Sequence, residues 1–106
     1  MHNQQAITNK KVIQSSLMST LNGNEFKAIL LLCDIYNNQK DIISLKQETI
    51  AKHLGADIRT VERVFNKLKK LDLINFERTI NGNNYEFTQK FFNLLNESSA
   101  NLRRMK

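Results

Sequence analysis

Between residues 56 and 74, apolar side chains recur at steps of three and four: Ile58, Val61, Val64, Phe65, Leu68 and Leu71. A 3.6-residue period gathers them on one arc of a helix, which is its core side. The opposite arc holds Arg59, Arg63, Asn66, Lys67 and Lys70, with Thr60 and Lys69 on its flanks, and Glu62 is the one acid within that helix. Asp57 is placed to accept from the backbone N–H of Thr60 and so to cap the helix start.

The same reading extends along the chain. Ile13, Leu17 and Leu21 stand at steps of four, with Val12 and Met18 beside them, which predicts an amphipathic helix over 9–21 capped by Asn9. The run NGN at 22–24 breaks it, and Asn24 is placed to cap a second helix, 25–37. That helix contains AILLLC, apolar nearly all round, and belongs at the centre of the core. After the loop NNQKD, the β-branched segment 42–45 reads as a lone edge strand. KQETIAKHLG then forms about two helical turns with Ile50, Ala51 and Leu54 inward, stopped by Gly55 in the left-handed conformation. Beyond Leu71 the period falls to two. Ile74, Phe76, Arg78 and Ile80 alternate with polar residues, NGNN supplies a turn, and Tyr85 and Phe87 alternate in turn, so a two-stranded hairpin is expected. Thr88 can cap a last helix whose apolar face holds Phe91, Phe92, Leu94 and Leu95 and continues to Leu102 and Met105.

Composition narrows the class. At 106 residues, 41% hydrophobic and 25% charged, without proline, the chain reads as one globular domain over 1–106, with a flexible stretch at 1–8. No apolar run approaches the roughly 20 residues needed to cross a bilayer, and MHNQQAITNKK lacks the apolar stretch of a secretory signal, so a cytoplasmic protein without membrane partners is expected. The single cysteine, Cys33, lies in the apolar FKAILLLCDIY and reads as a buried structural residue. His2 and His53 stand apart, with no metal-ligand spacing, and there is no glycine-rich phosphate loop and no nucleophile motif. Neither metal, cofactor nor catalysis is expected. The net charge of +6 and pI near 9.7 point to an anionic partner. The basic residues concentrate at Lys46, Lys52, Arg59, Arg63, Lys67, Lys69, Lys70 and Arg78, whereas 25–37 contains only Lys27.

Two helices joined by a three-residue turn containing glycine form a helix-turn-helix unit, and a following hairpin makes it winged. QETIAKHLGADIRTVERVFNKLKKLDLI resembles the winged helix-turn-helix pattern of bacterial, phage and plasmid DNA-binding proteins, with Ala51, Leu54, Gly55, Thr60, Val61, Leu68 and Ile74 at matching positions. The fold class that follows is mainly α with a small β-hairpin, a winged helix-turn-helix with extra N- and C-terminal helices: the helix-turn-helix over 47–71, the wing over 73–88, and flanking helices over 9–21 and 89–105. The resemblance implies that Arg59, Thr60 and Arg63 reach base edges, since arginine pairs with guanine through two donors. It implies that Asn66 faces adenine and that Lys67 and Lys70 touch phosphates. Lys46 and Gln47 open the preceding helix, where free N–H groups favour a phosphate, although an exposed cap is an equal reading. Arg78 and the amides of Asn81, Asn83 and Asn84 are the wing's candidates for minor-groove or backbone contact.

A small winged domain gains affinity by pairing two half-sites, so a homodimer is expected. Ile7, Val12, Met18, Phe92, Leu95, Leu102 and Met105 divide between the protomer core and a two-fold interface. Within the family the chain reads as a transcriptional regulator or as a TubR-type centromere-binding adaptor, which loads a filament-forming partition protein onto repeated sites of double-stranded DNA. A replication initiator's DNA-binding domain and a winged-helix protein-interaction module that binds no DNA are the alternatives.

Overall fold

The computed structural model describes residues 7–39, 43–80 and 82–97. In chain order the elements are α1 (Asn9–Ile13), a 3-10 helix (Ser16–Ser19), α2 (Gly23–Gln39), β1 (Ile43–Leu45), α3 (Gln47–Leu54), α4 (Ile58–Lys70), β2 (Ile74–Thr79), β3 (Gly82–Phe87) and α5 (Gln89–Leu95). Helices dominate, and three antiparallel strands form one small sheet in the order β1-β3-β2.

α2 runs through the centre. Ala28, Ile29, Leu32 and Cys33 are essentially inaccessible to solvent, as the all-round apolar sequence requires. Its start is a capping box placed differently from the sequence expectation. Asn22, not Asn24, accepts from the backbone N–H of Glu25 at 3.0 Å, and the Glu25 carboxylate accepts in return from the backbone N–H of Asn22 at 3.1 Å. The reciprocal pair needs the acid three residues after the cap, and only Asn22 has one there.

The helix expected over 9–21 is broken in two, and its cap is Thr8 rather than Asn9. The cause is local. Ser15 Oγ donates to the carbonyl of Val12 and accepts from the N–H of Leu17, offering the backbone an alternative to the helical ladder. Next to it, the N–H of Ser16 donates 2.9 Å to the carbonyl of Glu97, beyond α5. That contact fastens the N-terminal elements to the other end of the chain. It also coincides with the end of α5 at Leu95, short of the helix expected to 105; residues 98–106, including Leu102 and Met105, lie outside the described residues, as do 1–6.

β1 is not a lone strand. It pairs with β3 through Ile43 opposite Tyr85 and Leu45 opposite Asn83, while β2 flanks β3 on its other side with Phe76 opposite Tyr85. Tyr85, 1% exposed, thus stands at the middle of the sheet and packs on Phe65 of α4 with ring centroids 4.9 Å apart. A second aromatic group, Phe87 stacked on Phe91 at 3.9 Å with Tyr36 and Phe92 edge-on, joins the sheet to α2 and α5. Thr79 pairs directly with Gly82, so the glycine belongs to β3 and closes the hairpin loop instead of sitting within it.

Candidate nucleic-acid interface

α3 ends at Gly55, whose φ of 67° is the left-handed conformation, with the Ala56 N–H returning to the carbonyl of Ala51 at 3.0 Å. Two residues later α4 begins with Asp57 as its cap, accepting from the Thr60 N–H at 2.8 Å. That hydrogen bond, above all, holds the Asp57 carboxyl below its ordinary value, helped by the Thr60 hydroxyl and by the charges of Arg59 and Arg63. Ala51, Leu54 and Val61 are buried where the two helices cross. The arc read from the sequence holds for Val61, Val64, Phe65 and Leu68, which are buried; Leu71 is half-buried, and Ile58 at the first turn is 36% exposed because the chain enters the helix there from outside.

The cationic side of α4 is open to solvent. Arg59, Arg63, Asn66, Lys67, Lys69 and Lys70 are all exposed, and Thr60 is half-buried beside its cap. Arg63, Asn66, Lys67, Lys69 and Lys70 line one shallow groove along the helix. Within that stripe the lysines differ. Lys67 Nζ stands 3.7 Å from Glu25 Oε2, a carboxylate only 5% exposed, so Lys67 is tied to the start of α2. Lys69 Nζ lies 5.1 Å above the ring of Phe76 at the base of the wing.

The hairpin lies beside α4. A cleft of about 130 Å³ separates them, with Glu62, Phe65 and Asn66 on one wall, Phe76, Arg78, Asn83 and Tyr85 on the other, and Gln47 at its end. Arg78 is exposed at its rim, Gln47 is half-buried, and Lys46 is the exposed N-cap residue of α3, with no side-chain hydrogen bond capping the helix. One expectation for the wing fails. Asn83 is 7% exposed, its amide donating to Tyr85 Oη at 3.1 Å. Asn84 accepts from Ser44 Oγ across the sheet at 2.8 Å. Strand alternation turns Asn83 inward with Tyr85, so its amide is not presented as a wing contact, whereas Asn84 is half-buried with its amide oxygen engaged from β1. Asn81 lies outside the described residues. Burial raises the Tyr85 hydroxyl above its ordinary value, opposed by the Asn83 hydrogen bond and the Arg78 charge. Burial likewise pushes the Cys33 thiol up to about 12, which leaves it an inert core residue at neutral pH.

Sequence reading missed Glu25, the buried partner of Lys67, although the spacing from Asn22 to Glu25 is the capping-box signature and marks a glutamate that folds back on its helix.

A glycine-turned helix pair, a bare cationic second helix and a braced hairpin beside it define a winged helix-turn-helix protein. Residues 19–74 match the helix-turn-helix domain family model, and the chain belongs to that family. Its fold is similar to that of a point mutant of MepR from S. aureus bound to an oligodeoxyribonucleotide (TM-score 0.56, 20% identity, covering 92% of this chain and 66% of that one). It is also similar to a MarR-family transcriptional regulator from Silicibacter pomeroyi (0.54, 16%, 82% and 56%). A third structure of the same shape is PcaV from Streptomyces coelicolor in complex with its natural ligand (0.53, 15%, 80% and 57%). The chain thus spans between 56% and 66% of the length of these regulators. No curated protein sequence matches it. Among the described residues no helix is long and apolar enough to cross a membrane.

Proposed function

We propose that the chain is a sequence-specific double-stranded DNA-binding protein acting as a transcriptional regulator. The observation that carries this is the exposure of Arg59, Arg63, Asn66, Lys67 and Lys70 on the one side of α4 that the fold leaves uncovered. α4 enters a major groove, with Arg59, Thr60 and Arg63 at base edges and Asn66 behind them. Lys70 and Lys46 hold phosphates, and Arg78 meets the strand lying over the cleft. Membership of the helix-turn-helix domain family supports this reading, as does the DNA bound to the MepR mutant of similar shape.

Lys67 has a lesser part than its position on the arc implies. Its charge is already balanced in part by Glu25, so it contributes less to phosphate binding than Lys70 does.

The test is a salt titration of affinity for a duplex that the protein selects from a randomised pool. Arg63→Ala weakens the selected duplex by about 1–3 kcal/mol and leaves mixed-sequence binding nearly intact. Lys70→Ala weakens both equally and lowers the slope of log K against log salt by about one, and Lys67→Ala lowers that slope by less. Equal losses from Arg63→Ala and Lys70→Ala on both duplexes would defeat the division into readers and anchors. Failure of duplex DNA to bind even in dilute buffer would defeat the DNA reading itself.

The TubR-type partition role uses the same face and differs in the arrangement of sites. Footprinting on the DNA element that encodes the protein separates the two, since one palindrome at a promoter supports the regulator and an array of iterated repeats supports the partition adaptor. Pairing of two copies through the terminal elements completes the proposal.

A further inference from the structure

We propose that Glu62, the one acid within α4, is a base reader that accepts a hydrogen bond from the exocyclic amine of a cytosine in the major groove. The inference deepens the DNA-binding reading and rests on it.

A carboxylate on a helix face is in most proteins an ordinary solvated charge. Glu62 differs in its place. It is half-buried and lines the cleft between α4 and the wing, together with Gln47, Asn66 and Arg78. Asn66, one turn further on, lines both that cleft and the groove of Arg63, Lys67, Lys69 and Lys70. Residues four apart on a helix share a face, so Glu62 stands with Asn66 at the wing-side border of the cationic stripe. The fold makes no use of its carboxylate. Among the described residues Glu62 forms no side-chain hydrogen bond and no ion pair, whereas the carboxylates of Glu25 and Asp57 are both engaged in helix caps. Lys69, two turns on along the same flank, lies over the Phe76 ring instead.

With α4 in a major groove, its wing-side flank meets the base edges of the strand whose backbone lies over the cleft. A carboxylate has acceptors alone, so it rejects the edges that present acceptors, guanine O6 and N7 and thymine O4. Two bases offer an amine there. Adenine N6 stands beside the N7 acceptor, which repels the second carboxylate oxygen, whereas cytosine N4 stands beside a C–H. Cytosine is therefore the match. Arg78, on the facing wall of the cleft, offsets the repulsion between Glu62 and the phosphates of that strand. The arrangement adds discrimination more than affinity, since the acid lowers binding to every sequence and recovers it only where the amine is present.

The test compares the duplexes that the wild type, Glu62→Ala and Glu62→Gln each select from a randomised pool. The wild type should select a cytosine at a position where Glu62→Ala accepts any base and Glu62→Gln prefers adenine, whose N6 and N7 a glutamine pairs with through two bonds. Changing that cytosine to another base should weaken the wild type about five- to fiftyfold and leave Glu62→Ala almost unaffected. Both variants should bind a mixed-sequence duplex about three- to tenfold more tightly, at unchanged melting temperature, because the carboxylate holds nothing in the fold. A 2-pyrimidinone at that position, which is cytosine without its amine, should weaken the wild type far more than it weakens Glu62→Ala. If both variants select the wild-type site with all its preferences, or if the wild type selects no cytosine that Glu62→Ala releases, the inference is overturned while the DNA reading stands. If the wild type binds neither a selected nor a mixed-sequence duplex even in dilute buffer, the DNA reading fails and carries this inference with it.

Discussion

Asp57 shows how one side chain sets the entry of α4. Its carboxylate caps α4 by accepting from Thr60, and that bond lowers its proton affinity in the folded state. A depressed folded pKa means that the ionised cap stabilises the fold above the ordinary aspartate value of 3.8, and that this contribution is lost as pH falls through the lower folded value. Asp57→Ala should lower the melting temperature by a few degrees near neutral pH, and Asp57→Asn by less, since an asparagine still caps. Below pH 3.8 the gap between wild type and Asp57→Ala should shrink, which melting curves across the acid range will show. A gap that persists or grows in acid would mean that Asp57 acts other than as an ionised cap. Residues of this kind, Asp57, Gly55 and Thr88, are legible in sequence because cap and turn chemistry is local. Asn83 and Lys67 are not, because the first is turned inward by its strand partners and the second is engaged by a glutamate 42 positions away.

Among the elements, the wing carries a test of how it is held. Two glycines have positive φ for different reasons: Gly55 at 67° with open space around its missing Cβ, and Gly82 at 130° against the Leu45 carbonyl. Gly55→Ala meets only the left-handed backbone penalty, about 1 kcal/mol. Gly82→Ala adds a 3.1 Å approach to the Leu45 carbonyl, so that main chain must give by a few tenths of an ångström, and should cost roughly 2–3 kcal/mol. Urea denaturation of both variants checks the order; a smaller loss for Gly82→Ala would mean that β1 does not brace the hairpin. The helix pair and the hairpin were readable because each has its own period and its own punctuation. The break after Ile13 was not, since apolar spacing continued straight across it and the deciding contact, Ser16 to Glu97, spans 81 positions. The third strand was similarly half-legible: the β-branched segment was visible, its partner β3 was not.

For the whole molecule, the question is what the terminal elements leave for a second copy. Ile7, Val12 and Leu95, expected to divide between core and interface, are at most 5% exposed and belong to the protomer's own core. Ile13 at 50% and Met18 at 41% remain open, with Phe92 and Leu94 half-buried on α5. Among the described residues, so little exposed apolar surface on the terminal elements supports weak association in solution. Two half-sites on one duplex would then do much of the joining, because the second protomer binds at the high effective concentration that the first creates. Sedimentation velocity should therefore show a monomer–dimer equilibrium in the micromolar range, shifted to monomer by Met18→Asp without loss of melting temperature. On a duplex carrying two half-sites about one helical turn apart, the wild type should bind cooperatively, whereas Met18→Asp should bind each half-site independently and more weakly. The two measurements are separable, since Met18 lies on the 3-10 helix and lines neither the groove along α4 nor the cleft beside the wing. Cooperative binding that survives Met18→Asp would place the interface elsewhere. A wild type that stays monomeric at high concentration and fills the two half-sites one by one would remove the dimer from the proposal while leaving the cationic face of α4 its role.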